Sequence, residues 1–541
     1  MDTVQLGIDK VDDVASGNDR RGPTLLWGFR ALGLLLAALA WWALGGAADL
    51  EPAARMAAAI GVLMAVWWIT EAIPLSATAL LPIVLFPVFG VLSVADATSP
   101  YADPIVFLFM GGFLIAIAMQ KWNLHRRIAL RTLAAVGTHP RQIILGLMIA
   151  TAFLSMWVSN TATTLMMLPI GLSILSLVVE RTKSAGPGRG GDATEDHDVG
   201  GRVAGGETIS EVVDDKSVRV FGVGLVLSIA WAASIGGLGT LLGSPPNAIV
   251  AGYVSSELGE EIGFLQWMQL GVPIVVVFLA IAWLLITRVL FRSDLAEIPG
   301  GKEMIDQQLR SLGPMSRGER MVLAVFAGTA ALWVVPGLLS NIPEVAAAAP
   351  WVDGLNDTAI AIAAGIILFV LPAERGTSRM VLVWQDAQKG LPWGVLLLFG
   401  GGLSLASAVA SSGLDEWIGN QVSGLGVLPT VLLVMAVVAL VMMLTEVTSN
   451  TATAATFIPV LGGVAIGIGT DSMTLLVPAA LAASCAFMLP VGTPPNAIVF
   501  ASGAVTIGQM ARGGAVLNIV GVLVITGMSW LLGGWALGLQ F

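Results

Sequence analysis

The sequence predicts an all-α polytopic membrane protein of about eleven transmembrane helices plus two re-entrant helical hairpins, arranged as inverted-topology repeats. Three observations predict it: apolar windows recur along nearly the whole chain, basic and acidic connecting segments alternate between them, and two small polar words appear twice inside apolar surroundings. Of 541 residues, 56% are hydrophobic and 11% charged, with a mean hydropathy of +0.86. That is too apolar for a soluble globule with one core. Windows of about 20 residues match helices that cross a hydrocarbon layer of roughly 30 Å. The first, near Leu25 to Leu44, follows Arg20 and Arg21. Its length, the acidic tail before it and the many spans behind it read as a transmembrane helix rather than a cleaved signal.

Charge sets the topology. Basic residues fall in the tail up to Arg30, in 121–141, 181–219, 288–320 and 375–389, and at Arg512, leaving only Arg55 elsewhere. Short acidic segments lie between them, at Asp49 and Glu51, Asp96 and Asp103, 257–261, 344–357, Asp415 and Glu416, and Asp471. Since positive loops stay cytoplasmic, the N-terminus is expected inside and the C-terminus outside. Two segments break the alternation: 142–180 has basic flanks on both sides, and 428–466 has acidic flanks on both sides. Each has 39 residues, barely two crossings with no turn. Re-entrant hairpins fit these lengths, with two short spanning helices as the alternative.

"SNTATT" at Ser159–Thr164 and "SNTATA" at Ser449–Ala454 sit near the middles of these segments. The offset of 290 residues that relates them also carries "FMGGFLIA" from Phe109 onto "FGGGLSLA" from Phe399, which argues for a duplicated unit. A second pair of words, "GSPPNAIV" at Gly243–Val250 and "GTPPNAIV" at Gly492–Val499, agrees once the insert 183–219 is allowed for. One hairpin enters from inside and its copy from outside, so the repeats are inverted. The organisation is therefore a cytoplasmic tail 1–24; a first half 25–291 with hairpin 142–180 and broken helix 220–254; a cytoplasmic insert 183–219; a cytoplasmic linker 292–320; and a second half 321–541 with hairpin 428–466 and broken helix 472–502.

The repeated words carry the chemistry. Irregular backbone at membrane depth survives only inside protein or along a wet cavity. Ser159, Asn160 and Thr161, with Ser449, Asn450 and Thr451, offer hydroxyl and amide donors that replace water around a carboxylate without a bare positive charge. Half-helix N-termini add partial positive charge. The Pro245–Pro246 and Pro494–Pro495 pairs break their helices and free carbonyls, hard oxygen ligands suited to a small cation such as sodium. The site is neutral, so an anion held there needs bound cations to balance it. Glu71 and Glu446 are acids near membrane depth, read as internal hydrogen-bonding groups ahead of proton relays. The glycines at Gly111 and Gly400–Gly402 read as close-packing positions, since no phosphate-cradling word is present. The loop around Asp192–Asp198 reads as a disordered cytoplasmic insert.

Enzyme classes find little support. Cys485 is the only cysteine, so no disulfide or cysteine metal cluster forms. His125, His139 and His197 lie in polar connecting segments, and no nucleophile–base set is visible. No nucleic-acid partner and no organic cofactor are expected.

Together with "WWITEAIPLSATALLP" at Trp67–Pro82, the paired SNT and PPNAIV words resemble the divalent anion/sodium symporter family, over almost the whole chain from about Leu25. The resemblance implies carriage of dicarboxylates, citrate or sulfate by a homodimer with a static scaffold and a moving transport domain, in an elevator-type motion in the plasma membrane. By motif, substrate is expected at Ser159, Asn160, Thr161, Ser449, Asn450, Thr451, Thr493 and Pro494. One sodium is expected near Ser155, Asn160 and Gly243, and its partner near Thr445, Thr448, Asn450 and Gly492. The reading is sodium-coupled import of C4-dicarboxylates such as succinate, malate or fumarate. A sodium-independent dicarboxylate exchanger, a sulfate or citrate symporter, and a non-transporting receptor remain alternatives.

Overall fold

The computed structural model describes residues 22–47, 49–137, 139–184, 209, 213, 215–293, 295, 301–339, 356–374 and 379–541. Most of the tail 1–24 and of the insert 183–219 lies outside these residues. Apart from one isolated bridge between Pro372 and Met380, the regular structure described is helical. Ten helices among the described residues are long and apolar enough to cross a bilayer, with five shorter apolar ones.

The first half contains α1 (Pro23–Ala43), α2 (Pro52–Thr70), α3 (Leu75–Val88), α4 (Pro104–Lys121), the amphipathic α5 (Leu124–Val136), α6 (Pro140–Ser155), α7 (Asn160–Ser184), α8 (Lys216–Gly236), α9 (Pro245–Glu257) and α10 (Phe264–Leu285). The linker holds α11 (Gly301–Ser311). The second half contains α12 (Arg317–Leu339), α13 (Asp357–Val370), the short α14 (Trp384–Gly390), α15 (Trp393–Ser411), α16 (Leu414–Val422), α17 (Thr430–Thr445), α18 (Asn450–Ile468), α19 (Ser472–Ala483), α20 (Pro494–Ala501) and α21 (Ile507–Leu537).

Proline sets several of these boundaries. Pro23, Pro52, Pro104, Pro140, Pro245 and Pro494 each sit in a first turn, where the missing N–H is harmless and φ is already helical. The two Pro-Pro words thus start α9 and α20 rather than kinking a continuous helix. α8 stops at Gly236 and the chain restarts at Pro245, while α19 stops at Ala483 and restarts at Pro494.

The arms around the SNT words are unequal. α6 and α17 have 16 residues each, about 24 Å at 1.5 Å per residue and too short for the hydrocarbon core. The arms that leave the tips are longer: 20 residues of α7 and all 19 of α18 are span-length.

Helix pairings recur between halves. α6 and α7 pack on α8, as α17 and α18 pack on α19. Across the halves, α7 and α8 pack on α20, while α18 and α19 pack on α9. Each hairpin is therefore seated against the returning half of the other half's interrupted helix. Glycines allow the closest approaches. A Cβ on Gly401 would lie 2.5 Å from the Ala79 carbonyl oxygen, and one on Gly111 2.5 Å from the Ala361 backbone. At the α5 end, the buried Arg127 guanidinium grips Glu319 of α12, with Nη2 3.1 Å from Oε2.

The tightest crossing is α16 on α18, where a Cβ on Gly467 would lie 1.9 Å from the Gly419 Cα. Gly467→Ala forces these backbones apart and is expected to destabilise by about 1–3 kcal/mol, read as a lowered thermal midpoint of the purified protein. An unchanged midpoint would mean that the crossing yields freely.

Candidate functional site

The site is built on helix ends. Ser155 is the last residue of α6, Asn160 the first of α7, and Ala233 lies in the last turn of α8. In the second half Thr445 ends α17, Asn450 begins α18 and Ala483 ends α19. Helix C-termini present carbonyls without intrahelical partners and carry partial negative charge; N-termini carry the opposite.

Four oxygens converge at the first tip. The Asn160 amide oxygen lies 2.5 Å from the Ser155 hydroxyl, 3.1 Å from the Ala233 carbonyl and 3.2 Å from the Gly243 carbonyl. The Ser155 hydroxyl also reaches Ala233 O at 2.7 Å. The second tip repeats the arrangement: the Asn450 amide oxygen lies 2.7 Å from Thr445 Oγ1, 3.1 Å from Ala483 O and 3.1 Å from Gly492 O, and Thr445 Oγ1 is 2.9 Å from Ala483 O. Each cluster thus holds four oxygens and a single hydroxyl proton. Two arrangements relieve such crowding. A cation can sit among the oxygens, since ligands about 2.4 Å from a common centre and roughly at right angles lie about 3.4 Å apart. Alternatively the amide turns by 180° and its Nδ2 shares its two protons among the other three oxygens.

The loops that deliver Gly243 and Gly492 are braced by the asparagines of the PPNAIV words. Asn247 Nδ2 donates to Gly237 O at 2.9 Å and Thr240 O at 2.8 Å. Asn496 Nδ2 donates to Ala486 O and Leu489 O, each at 3.1 Å. Only glycine fits at 237, where a Cβ would lie 2.8 Å and 2.9 Å from the two ends of the Asn160 amide.

The motif residues differ in exposure. Ser159, Asn160, Thr161, Ser449 and Asn450 are half-buried, Thr451 is buried and Pro494 is exposed. Ser159 Oγ caps α7 by accepting from Ala162 N at 3.3 Å, which leaves its own proton to donate. The hydroxyls of Thr161, Ser449 and Thr451 make no bond among the described residues. Thr493 is committed locally, accepting from Asn496 N to cap α20.

Of the residues expected at the cations, Ser155, Asn160 and Gly243 meet in one cluster and Thr445, Asn450 and Gly492 in the other. Thr448 does not join: its hydroxyl donates to Leu444 O at 2.8 Å and pairs with Thr453 Oγ1 at 2.5 Å, inside its own hairpin. The Ala233 and Ala483 carbonyls were not foreseen, because alanine gives no side-chain signal for a backbone ligand. Asn247 and Asn496 stood inside quoted words without an assigned role.

The two expected acids behave differently. Glu71 takes a left-handed conformation (φ 49°) that ends α2. Glu446, buried one residue beyond α17, accepts from three successive backbone N–H groups, of Phe487 (2.7 Å), Met488 (3.0 Å) and Leu489 (3.1 Å), and from Asn518 Nδ2 (2.7 Å). These N–H groups form an anion-binding concavity that the protein fills with its own carboxylate. Met156 stands at the corresponding place in the first hairpin, and there its carbonyl accepts from the Thr240 hydroxyl.

Interrupted helices with paired polar tips inside an apolar helical body define a membrane transport protein of the kind whose site is built from broken helices. Residues 26–537 match the sodium:sulfate symporter transmembrane region, and the chain belongs to that family, the divalent anion/sodium symporters its motifs resemble. It is 44% identical over 468 residues to the sodium-dependent dicarboxylate transporter SdcS of Staphylococcus aureus strain bovine RF122 / ET3-1, covering 86% of this chain and 84% of the relative. The SdcS proteins of strains MSSA476 and NCTC 8325 give the same figures. Among solved structures, the fold is shared with the YdaH transporter of Alcanivorax borkumensis (TM-score 0.56, 14% identity, 88% of this chain and 99% of that one). It is shared also with Neisseria gonorrhoeae MtrF (TM-score 0.51, 11% identity, 91% and 96%). The family and these relatives are transporters, so the protein is a multi-pass membrane transporter and not an enzyme.

Removing the Glu446 carboxylate leaves buried backbone donors without an acceptor, at roughly 1–3 kcal/mol for each. Glu446→Ala is therefore expected to lower the thermal midpoint more than Glu446→Gln, which keeps one acceptor oxygen. A wild-type midpoint in the alanine variant would remove Glu446 as the brace of this loop.

Proposed function

We propose that the protein is a secondary active transporter that imports C4-dicarboxylates such as succinate, malate or fumarate, coupled to sodium. One observation carries this reading: two matched clusters at helix C-termini, each gathering a hydroxyl, two backbone carbonyls and the side-chain amide of an SNT asparagine, beside motif hydroxyls that make no bond among the described residues. Each asparagine is then a bridge. Its oxygen completes a cation shell at the C-termini of two helices, and its NH₂ joins the hydroxyls of the same motif at a helix N-terminus. A carboxylate suits the second end and sodium the first. The two tips suit the two ends of a dicarboxylate, and the relatives named as sodium-dependent dicarboxylate transporters support that choice.

In this reading substrate meets Ser159, Asn160, Thr161, Ser449, Asn450 and Thr451, with Thr493 and Pro494 at the edge. One sodium is held by Ser155, Asn160, Gly243 and the Ala233 carbonyl; the other by Thr445, Asn450, Gly492 and the Ala483 carbonyl. The short α6 and α17 support hairpins that re-enter from opposite faces, and the matched pairings of the two halves support inverted repeats. With the charge alternation they give an N-terminus inside and a C-terminus outside. The family resemblance adds a homodimer in the plasma membrane and an elevator-type motion of the block formed by both hairpins and both interrupted helices.

The deciding experiment is uptake of labelled succinate into proteoliposomes, under an inward sodium gradient against matched potassium, with and without succinate inside. Uptake into empty vesicles that requires sodium is the expected result. Uptake that ignores sodium and needs internal succinate would make the protein an exchanger. Asn160→Ala and Asn450→Ala each remove a cation ligand and a donor to a charged group, worth about 1.5–3 kcal/mol for the donor alone. Each is expected to cut uptake about 100-fold while leaving the protein folded. Near-normal transport in both would overturn the site.

A further inference from the structure

We propose that the turn between α1 and α2 is a binding site for a zwitterionic phospholipid. Its phosphate sits on Arg55, the ammonium of its head group beside Asp49 and Glu51, and an acyl chain along the exposed stripe of α1 that ends at Trp42. None of these residues takes part in the transport site.

Arg55 stands apart from every other basic residue of the chain, next to connecting residues that are acidic. It lies near the N-terminus of α2, where the macrodipole disfavours a cation, so helix energetics do not account for it. Its guanidinium holds the turn: Nε donates to Leu50 O at 3.1 Å and Nη2 to Ala47 O at 2.8 Å. The remaining N–H groups make no bond among the described residues. Asp49 and Glu51 flank the residue whose carbonyl Arg55 holds, yet neither forms an ion pair with it, and both are exposed. Glu51 is the N-cap residue of α2, and its side chain caps nothing. One turn thus fixes a cation with donors to spare beside two unpaired carboxylates. Phosphate oxygens suit the guanidinium fork, and an ammonium suits the carboxylates. A ligand that is only negative would be repelled by the two acids; a zwitterion is complementary to all three groups.

The surroundings say that this zwitterion is a lipid. A cavity of about 540 Å³ opens beside the guanidinium, lined by Trp41, Trp42, Ala43, Gly45, Gly46 and Arg55. Trp41 and Trp42 are 51% and 74% exposed, and tryptophan belongs where hydrocarbon meets head groups, which sets the cavity at that depth. Leading up to it, the exposed side chains of Leu32, Leu35, Leu39 and Trp42 recur at helical spacing and form one face of α1. That face is about 15 Å long at 1.5 Å per residue, about half of a hydrocarbon core of roughly 30 Å and so the depth of one leaflet. α1 packs on α2, but only 6% of its apolar span is buried within the protein, which leaves this face to lipid. What separates the turn from an ordinary aromatic belt is the unspent arginine donors and the two free carboxylates at the head of the stripe. The proposed topology puts the site at the outer leaflet; its chemistry is the same on either face.

The test is native mass spectrometry of the purified, delipidated protein titrated with phosphatidylethanolamine or with phosphatidylglycerol of the same acyl chains. Wild type is compared with Arg55→Gln, with the double variant Asp49→Asn/Glu51→Gln and with Trp42→Ala, using glycerophosphoethanolamine as a chain-free competitor and the ligand-free thermal midpoint as the measure of folding. Wild type is expected to bind one phosphatidylethanolamine at least about tenfold more tightly than phosphatidylglycerol, the size of one hydrogen bond to a charged group. Arg55→Gln is expected to lose about tenfold for both lipids, by the same reasoning. The double variant keeps the phosphate contact and loses both acids, so its preference is expected to turn toward phosphatidylglycerol. Trp42→Ala is expected to weaken both lipids alike, and the chain-free competitor to bind far more weakly than either.

Equal affinity of wild type for the two lipids, the mark of annular lipid only, would overturn the site, as would an Arg55→Gln variant that binds both like wild type. An unchanged ratio of the two lipids in the double variant would overturn the head-group assignment. A competitor as strong as the lipid would overturn the acyl-chain stripe. Because Arg55 also holds the turn, a lowered midpoint in Arg55→Gln passes the decision to the double variant, whose altered side chains make no bond among the described residues.

Discussion

Everything at this site follows from helices that end inside an apolar body. A helix that stops there strands carbonyls at one end and N–H groups at the other, with no water to satisfy them. The protein turns these ends into ligands. C-termini of α6 and α8, and of α17 and α19, supply oxygen to two clusters, while N-termini of α7, α9, α18 and α20 begin at the motif residues. Sorting by macrodipole puts the proposed cation and anion positions side by side without a charged side chain at either. A neutral site of this kind is cheaper to bury than one with a lysine or arginine in it. In the proposed reading, its affinity for the anion is borrowed from the cations that arrive with it.

What the sequence showed and what it hid divide along the same line. Side chains placed by repetition were legible. Asn160 and Asn450 stand in the repeated words and the family resemblance pointed to Ser155 and Thr445; Ser155 meets Asn160 and Thr445 meets Asn450, and the Pro-Pro pairs mark the two helix restarts because proline fits a first turn and little else at that depth. Backbone ligands were not legible: Ala233 and Ala483 contribute only carbonyls, which depend on where a helix stops rather than on residue type. Thr448 shows the converse, since a hydroxyl one turn from the tip can spend itself on Leu444 and Thr453. Glu446 could be suspected from its depth, but not the three N–H groups it serves, which lie some forty residues further along the chain.

The two clusters are built alike but their loops are braced differently, and the difference has a mechanical meaning. The first loop is held within its own half: Trp267 donates to Leu238 O at 3.0 Å, Thr240 to Met156 O, and Asn247 to Gly237 O and Thr240 O. The second loop is held by Glu446 and Asn518 of its own half and also from the first half. Trp231 of α8 donates to Phe487 O at 3.1 Å, and the Ser244 and Ser484 hydroxyls pair at 2.7 Å. Ser244 does not cap α9, whereas its counterpart Thr493 caps α20.

That single hydroxyl pair joins residues next to Gly243 and Ala483, one carbonyl ligand from each cluster. The second loop therefore cannot move away from the first half without breaking buried hydrogen bonds, and both clusters belong to one block. A carrier that moved its two tips independently would expose a half-coordinated anion to the membrane, where an unpaired charge is costly. In the transport cycle proposed above, tying the loops together would keep the anion and both cations in one body throughout the crossing. The hairpins alone, each packed on the opposite half's restarted helix, would not fix the loops to one another; the pair of serines and the tryptophan do.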